Sequence, residues 1–350
     1  MSRMRPWELE LEGSIETLEI DSSALVGNPL GDRATRPLLV YLPPSYGVSS
    51  DKRYPVVYVL QGFGSAVPSW LHPDSTFEPT YPESADALFA SGTAPECLLV
   101  FVDGWTSLGG SQFLDSTAVG RYHTYLVDDV VPLVDDRFRT LAAPAHRAVQ
   151  GKSSGGYGAL VSAMKRPDVF GALAAHSADG CFQLSMLPLI AAAYRALRDE
   201  YGSDYARWWE DFGSRRAFSK PTDGPLLECY ALSACYSPGT APGTEQTVEL
   251  PFDPATGRIR DEVFTRWCKL DPVEMAPKHL EALASLSAIW IDCGRTDEQF
   301  LDVATDQLAA VLGEAGIEHH YELFAGGHRR TGHRYPLALS YLAERLSLAA

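Results

Sequence analysis

Seven short apolar runs rich in β-branched residues punctuate the chain, with helical patterns between them, and this alternation leaves few folds open. They are "RPLLVYLPP" (36–44), "YPVVYVLQG" (54–62), "ECLLVFVDG" (96–104), "HRAVQG" (146–151), "FGALAAHS" (170–177), "SAIWIDCG" (287–294) and "HHYELFAGG" (319–327). Continuous apolarity over so few residues reads as strand buried on both faces, since a half-exposed strand would alternate. Strands that alternate with helices predict an α/β protein. Its mostly parallel central sheet carries helices on both faces, with functional loops at the carboxyl ends of the strands. The first two runs read as an antiparallel lead-in. Between the third and fourth, Leu126, Val130, Leu133 and Val134 fall on one face of a helix that Pro132 kinks. A second helix starts after Ser153 and stops near Pro167.

From about residue 181 to 280 the alternation lapses. An aromatic, helix-leaning segment, "LPLIAAAYRALRDEYGSDYARWWEDF", precedes irregular sequence around "ELPFDPATGRIRDEVF". With no Pro- or Gly-rich linker separating unlike halves, residues 1–350 read as one domain with a helical cap inserted at about 181–280.

Bulk properties exclude several function classes. No run approaches the roughly 18 apolar residues of a membrane span. The start, "MSRMRPWELELEG", turns polar where a secretory signal needs an apolar stretch, so a cytoplasmic location is expected. Six cysteines lie far apart with no Cys-x-x-Cys, which indicates neither a disulfide framework nor a zinc site. A formal net charge of −16 disfavours binding to phosphate backbones.

The stretch "VQGKSSGGYGAL" (149–160) admits two readings. Gly151, Lys152 and Ser153 could end a phosphate-binding loop, but the glycine such a loop needs upstream falls at His146. Gly151, Ser153 and Gly155 instead spell Gly-x-Ser-x-Gly between a short strand and a helix, the setting of a nucleophile elbow. A serine at the apex of so sharp a turn needs neighbours with almost no side chain two positions before and after. Choosing Ser154 as nucleophile would put Lys152 and Gly156 there, so Ser153 is the better candidate.

A serine hydroxyl needs a histidine to take its proton and a carboxylate to orient that histidine, in the chain order Ser, Asp or Glu, His. "SAIWIDCGRTDEQF" offers Asp297 in the loop after a strand, with Asp292 as runner-up. "YELFAGGHRRTGHRYP" offers His328 and His333 as bases. Adjacent strand residues His319 and His320 point to opposite faces, against joint metal binding, and "SAMK" (162–165) lies inside the elbow helix without the other motifs of Ser-x-x-Lys enzymes. For an oxyanion, two backbone donors are needed. The amide after the nucleophile, Ser154, is one; Phe63, in the glycine-rich turn after the second run, is assigned as the other. Trp105, His176 and Asp179 are candidate pocket residues.

With these residues in place, the chain resembles the esterase family of α/β-hydrolases that includes esterase D (S-formylglutathione hydrolase), enterochelin esterase, feruloyl esterases and the mycolyltransferases. The likeness runs through "VYLPPSY", "YPVVYVLQGFG", "FVDGWTSLGGSQF", "GKSSGGYGAL", "RPDVFGALAAHSAD", "DCGRTDEQF" and "FAGGHRRTGHRY". It implies an α/β-hydrolase fold and a serine esterase with Ser153 as nucleophile, Asp297 as acid and His328, rather than His333, as base. It also implies an acyl-enzyme route on a small-molecule ester, without cofactor or metal. Where many members have His-Gly after the third strand, this chain has Gln61-Gly62, and Ser154 replaces a small residue or Met. Acyl transfer, amide or peptide cleavage by the same triad, and a non-catalytic binding protein on this scaffold are the rival expectations.

Overall fold

The structure is a computed structural model and describes residues 9, 11–73, 78–215, 218–239 and 248–348. Most of the amino-terminal stretch on which the cytoplasmic expectation rests lies outside the described residues.

All seven apolar runs form strands, and an eighth precedes them. In chain order these are β1 (Ser14–Asp21), β2 (Thr35–Leu42), β3 (Val56–Leu60), β4 (Leu98–Val102), β5 (Arg147–Lys152), β6 (Ala172–His176), β7 (Ala288–Gly294) and β8 (His320–Phe324). They make one sheet in the order β1-β2-β4-β3-β5-β6-β7-β8. Neighbours from β4 to β8 are parallel. β2 is antiparallel to both β1 and β4. The expected antiparallel lead-in is therefore corrected: β2 is antiparallel, but its partners are β1 and β4, while β3 runs parallel between β4 and β5. Every residue of β3 is fully buried, as a central strand requires, whereas β1 is mostly exposed or half-buried and takes the edge.

The period-two alternation of a strand sends successive side chains to opposite faces. In β3, Val57 and Val59 join one apolar cluster while Val56, Tyr58 and Leu60 join another. Helices cover both. On the first face lie α1 (Tyr81–Ala90), whose start is fixed by a capping box between Thr80 and Glu83, and the last helix, which contributes Leu339, Leu342 and Leu346. The second face is covered by α2 (Val131–Arg137), α3 (Ser154–Lys165) and the helix after β7. Pro132 lies in the first turn of α2 and the preceding turn, Tyr125–Val130, is π-helical. A proline there cannot donate to the ladder, and the wider turn absorbs the break.

Between β6 and β7 come α4 (Phe182–Tyr201), α5 (Tyr205–Ser214), α6 (Asp223–Tyr236) and α7 (Asp261–Cys268). Aromatic rings hold this segment together; Trp208, fully buried, stacks on Phe212 with ring centroids 5.3 Å apart. The remaining long helices are α8 (Leu301–Glu314) and α9 (Arg334–Leu348). Among the described residues no helix is long and apolar enough to cross a membrane.

Because β3 and β5–β8 are parallel, their carboxyl ends face the same way. Phe63, Ser153, Asp179, Asp297 and His328 each follow one of these ends within four residues or fewer.

Candidate active site

Ser153 sits at the apex between β5 and α3 with φ 56° and ψ −125°, a left-handed region that costs a non-glycine residue energy. The surroundings hold it there. Its amide donates to the carbonyls of His176 and Ser177 at 3.0 and 3.1 Å, and its carbonyl accepts from the Tyr157 amide at 2.8 Å. The flanking glycines are required by contact: a Cβ on Gly151 would lie 2.3 Å from the Gly155 backbone, and one on Gly155 would lie 2.2 Å from the Leu60 carbonyl oxygen. No side chain fits at either position.

His328 lies 3.2 Å from Ser153, Nε2 to Oγ, and 2.8 Å from Asp297, Nδ1 to Oδ2. A carboxylate can only accept, so the Nδ1 proton is donated to Asp297 and Nε2 is left as an acceptor facing the hydroxyl. The Asp297 side chain is fully buried and that of His328 is 13% exposed. Burial works to raise the Asp297 pKa, but the hydrogen bond and charge of His328 oppose it, with the Gln299 amide and the Cys293 thiol adding to that opposition. The carboxyl ends below its usual range.

The loops that carry the acid and the base are clasped to each other. Arg295 and Thr296 donate their amides to the carbonyls of Phe324 and Gly326, at 2.8 and 2.9 Å. Glu298 accepts the His328 amide at 2.7 Å, a contact that sequence reasoning did not single out and that only the meeting of two distant loops creates. That hydrogen bond is the main reason the exposed Glu298 carboxyl titrates below its ordinary value.

The other candidates occupy different places. Asp292, fully buried, accepts from His176 Nδ1 at 2.7 Å, Trp290 Nε1 at 2.8 Å and Arg334 Nε at 2.9 Å. Burial alone would raise its pKa, yet His176, Trp290 and Arg334 together bring it below the usual carboxylate value. His176, 1% exposed, reaches from Asp292 to the Gln150 side chain at 3.0 Å and so lies within the sheet's polar interior. His333 is exposed, its ring edge-on to Phe324 with centroids 5.8 Å apart. Trp105 is 41% exposed, and its carbonyl accepts from Arg36 and from the Tyr122 hydroxyl.

Phe63 belongs to a turn tied down by a 2.8 Å hydrogen bond from the Gly64 amide to the Gly109 carbonyl. A Cβ on Gly62 would stand 3.7 Å from the Ser153 Cβ, so this turn runs directly beside the elbow. Ser154 opens α3, whose first amides have no partner within the helix. Asp179, 6% exposed, follows β6 and places Oδ1 3.4 Å from Ser153 Oγ. Burial raises its pKa, and the hydrogen bonds and His328 charge that oppose this do not cancel it. Among the described residues no group of three or more His, Cys, Asp or Glu side chains is placed to hold a metal ion.

Comparison with known proteins agrees with the fold. Over 138 residues, 38% of this chain, the sequence is 29% identical to an endo-1,4-beta-xylanase/feruloyl esterase of Xylanibacter ruminicola, and the match spans only 18% of that relative's length. A solved ferulic acid esterase superposes with a TM-score of 0.59 at 19% identity, covering 96% of this chain and all (100%) of the other. A fluorophosphonate-binding serine hydrolase of Staphylococcus aureus superposes with a TM-score of 0.58 at 14% identity, covering 95% and 98%. At such identities the likeness is one of fold, the α/β-hydrolase fold. The family model described as "Putative esterase" matches residues 29–340. The chain belongs to this esterase family.

Proposed function

We propose that the chain hydrolyses a carboxylic ester through an acyl-enzyme formed on Ser153. The reading rests on one observation above the rest: a single imidazole, His328, bridges the Ser153 hydroxyl at 3.2 Å and the buried Asp297 carboxylate at 2.8 Å. Ser153 Oγ attacks the ester carbonyl as His328 Nε2 takes its proton, and Asp297 stabilises the resulting imidazolium. The amides of Phe63 and Ser154 hold the oxyanion, helped by the positive end of α3. His328 then returns the proton to the departing alcohol. In the second half a water attacks the acyl-enzyme with His328 again as base, releasing the acid and restoring the serine.

The helices between β6 and β7 act in this reading as a cap over the pocket. Support comes from α6, whose Tyr236 hydroxyl meets the Gln112 side chain at 2.7 Å, next to Asp179.

Nitrophenyl acetate hydrolysis by three variants tests the assignment. Ser153→Ala and His328→Ala lose turnover, while His333→Ala keeps it. Loss in His333→Ala with retention in His328→Ala would overturn the choice of base. Adding alcohol or amine acceptors and analysing products separates hydrolysis from acyl transfer.

A further inference from the structure

Ser153 Oγ has two acceptors in reach, His328 Nε2 at 3.2 Å and Asp179 Oδ1 at 3.4 Å. A carboxylate touching the nucleophile is an unexpected neighbour for acyl-enzyme chemistry, because negative charge develops on the substrate oxygen a few ångströms away. Asp179 Oδ2 accepts from the Ser154 hydroxyl at 3.3 Å as well as from Gln112, whereas Oδ1 faces the Ser153 hydroxyl. Gln112, 2% exposed, spends its Nε2 on Asp179 Oδ2 at 3.0 Å and on the Tyr236 hydroxyl at 2.7 Å. Its own Oε1, one carbon from that nitrogen, has no partner among the described residues. A buried acceptor left unmatched is costly and marks a place for a donor.

Position relative to the reacting atoms decides what the donor belongs to. The leaving oxygen must lie against His328 Nε2, which protonates it, and this leaves Asp179, the other group within reach of Oγ, for the acyl part. A carbonyl carbon poised for attack stands about 3 Å from Oγ. A nitrogen on the adjacent carbon is two bonds further, roughly 2.5 Å from the carbonyl carbon by ordinary bond lengths. These lengths allow it to come within hydrogen-bonding reach of a carboxylate that is itself 3.4 Å from Oγ.

Resting on the esterase reading above, we propose that Asp179, with Gln112, forms a subsite for an ammonium group on the carbon next to the scissile carbonyl, so that α-amino acid esters are the preferred substrates. The bonds made and broken are those of the esterase cycle: the acyl carbon passes from alcohol oxygen to Ser153 Oγ and then to water. The ammonium neutralises Asp179 at the moment charge grows on the carbonyl oxygen, so it assists the chemical step as well as binding.

The test compares L-alanine methyl ester with methyl isobutyrate, in which a methyl replaces the ammonium, at pH 6.5 with the full chain. A charge-assisted hydrogen bond of this kind predicts a kcat/KM advantage of about ten- to a hundredfold for the alanine ester. Asp179→Asn should collapse that ratio towards one, slowing the alanine ester and speeding the isobutyrate. Equal kcat/KM for the two esters, or a preference for isobutyrate, in the unmodified chain overturns the subsite. If the chain hydrolyses nitrophenyl acetate and reacts with a fluorophosphonate, such a result leaves the esterase reading standing. If both of those fail, the esterase reading falls and the subsite falls with it.

Discussion

Replacing Asp292 by Asn separates the two aspartates of "IDCGRTD" by their physics. The Asp292 carboxylate is fully buried and accepts three side-chain hydrogen bonds, from His176, Trp290 and Arg334, at 2.7 to 2.9 Å. An amide of the same shape keeps one acceptor oxygen but turns an NH2 towards a donor, leaving Arg334 without a countercharge on this side. Breaking one partner out of a buried ion pair costs about 3–5 kcal/mol. With an unfolding entropy of about 2 cal/mol/K per residue, 350 residues give roughly 0.7 kcal/mol/K, so the melting midpoint should fall by roughly 4–7 °C at pH 7. The sign of the pH dependence follows from the direction of the shift. Asp292 titrates lower when folded, so its contribution is present above the unfolded carboxylate pKa of about 3.9 and is lost as pH falls through the folded value. The deficit of Asp292→Asn should hold from pH 8 to 5 and shrink below about pH 4. Differential scanning calorimetry at pH 7, 5 and 3.5 reads it. An unchanged midpoint at pH 7, or a deficit that widens towards pH 3.5, would refute the reasoning.

The opposite pattern is expected of Asp297→Asn: a midpoint within a few degrees of the unmodified chain, with kcat on nitrophenyl acetate down by about 10³–10⁴, as when a catalytic imidazole loses the carboxylate that sets its tautomer. Gly155→Ala drives a methyl to 2.2 Å from the Leu60 carbonyl oxygen. It should cost about 1–3 kcal/mol by urea titration and abolish turnover, because the elbow must move to make room.

Sequence reading located the sheet well because buried parallel strands announce themselves by unbroken apolarity. It passed over β1, "SIETLEID", since an edge strand with one buried residue, Ile20, lacks that signal. It also misplaced the antiparallel pairing, because two apolar strands close in sequence look like neighbours, whereas β4 inserts between β2 and β3. At the site, glycine spacing singled out Ser153, since its flanking residues are read directly from local sterics. Residue pattern alone left Asp292 beside Asp297 and His333 beside His328. Which of each pair meets Ser153 depends on how the loops after β7 and β8 fold onto each other. Glu298 and Gln112 carry no local signature at all. Their positions matter only through segments 30 or more residues away, as with the Glu298 contact to His328 and the Gln112 contacts to Asp179 and Tyr236.

The central claim is that Ser153 carries the acyl group. Rapid quench of the enzyme with an excess of nitrophenyl butyrate, followed by peptide mass mapping, tests it most directly. A butyryl mass on the peptide containing Ser153, absent in Ser153→Ala, is the predicted result. Turnover with the acyl mass on another residue, or undiminished in Ser153→Ala, would contradict it.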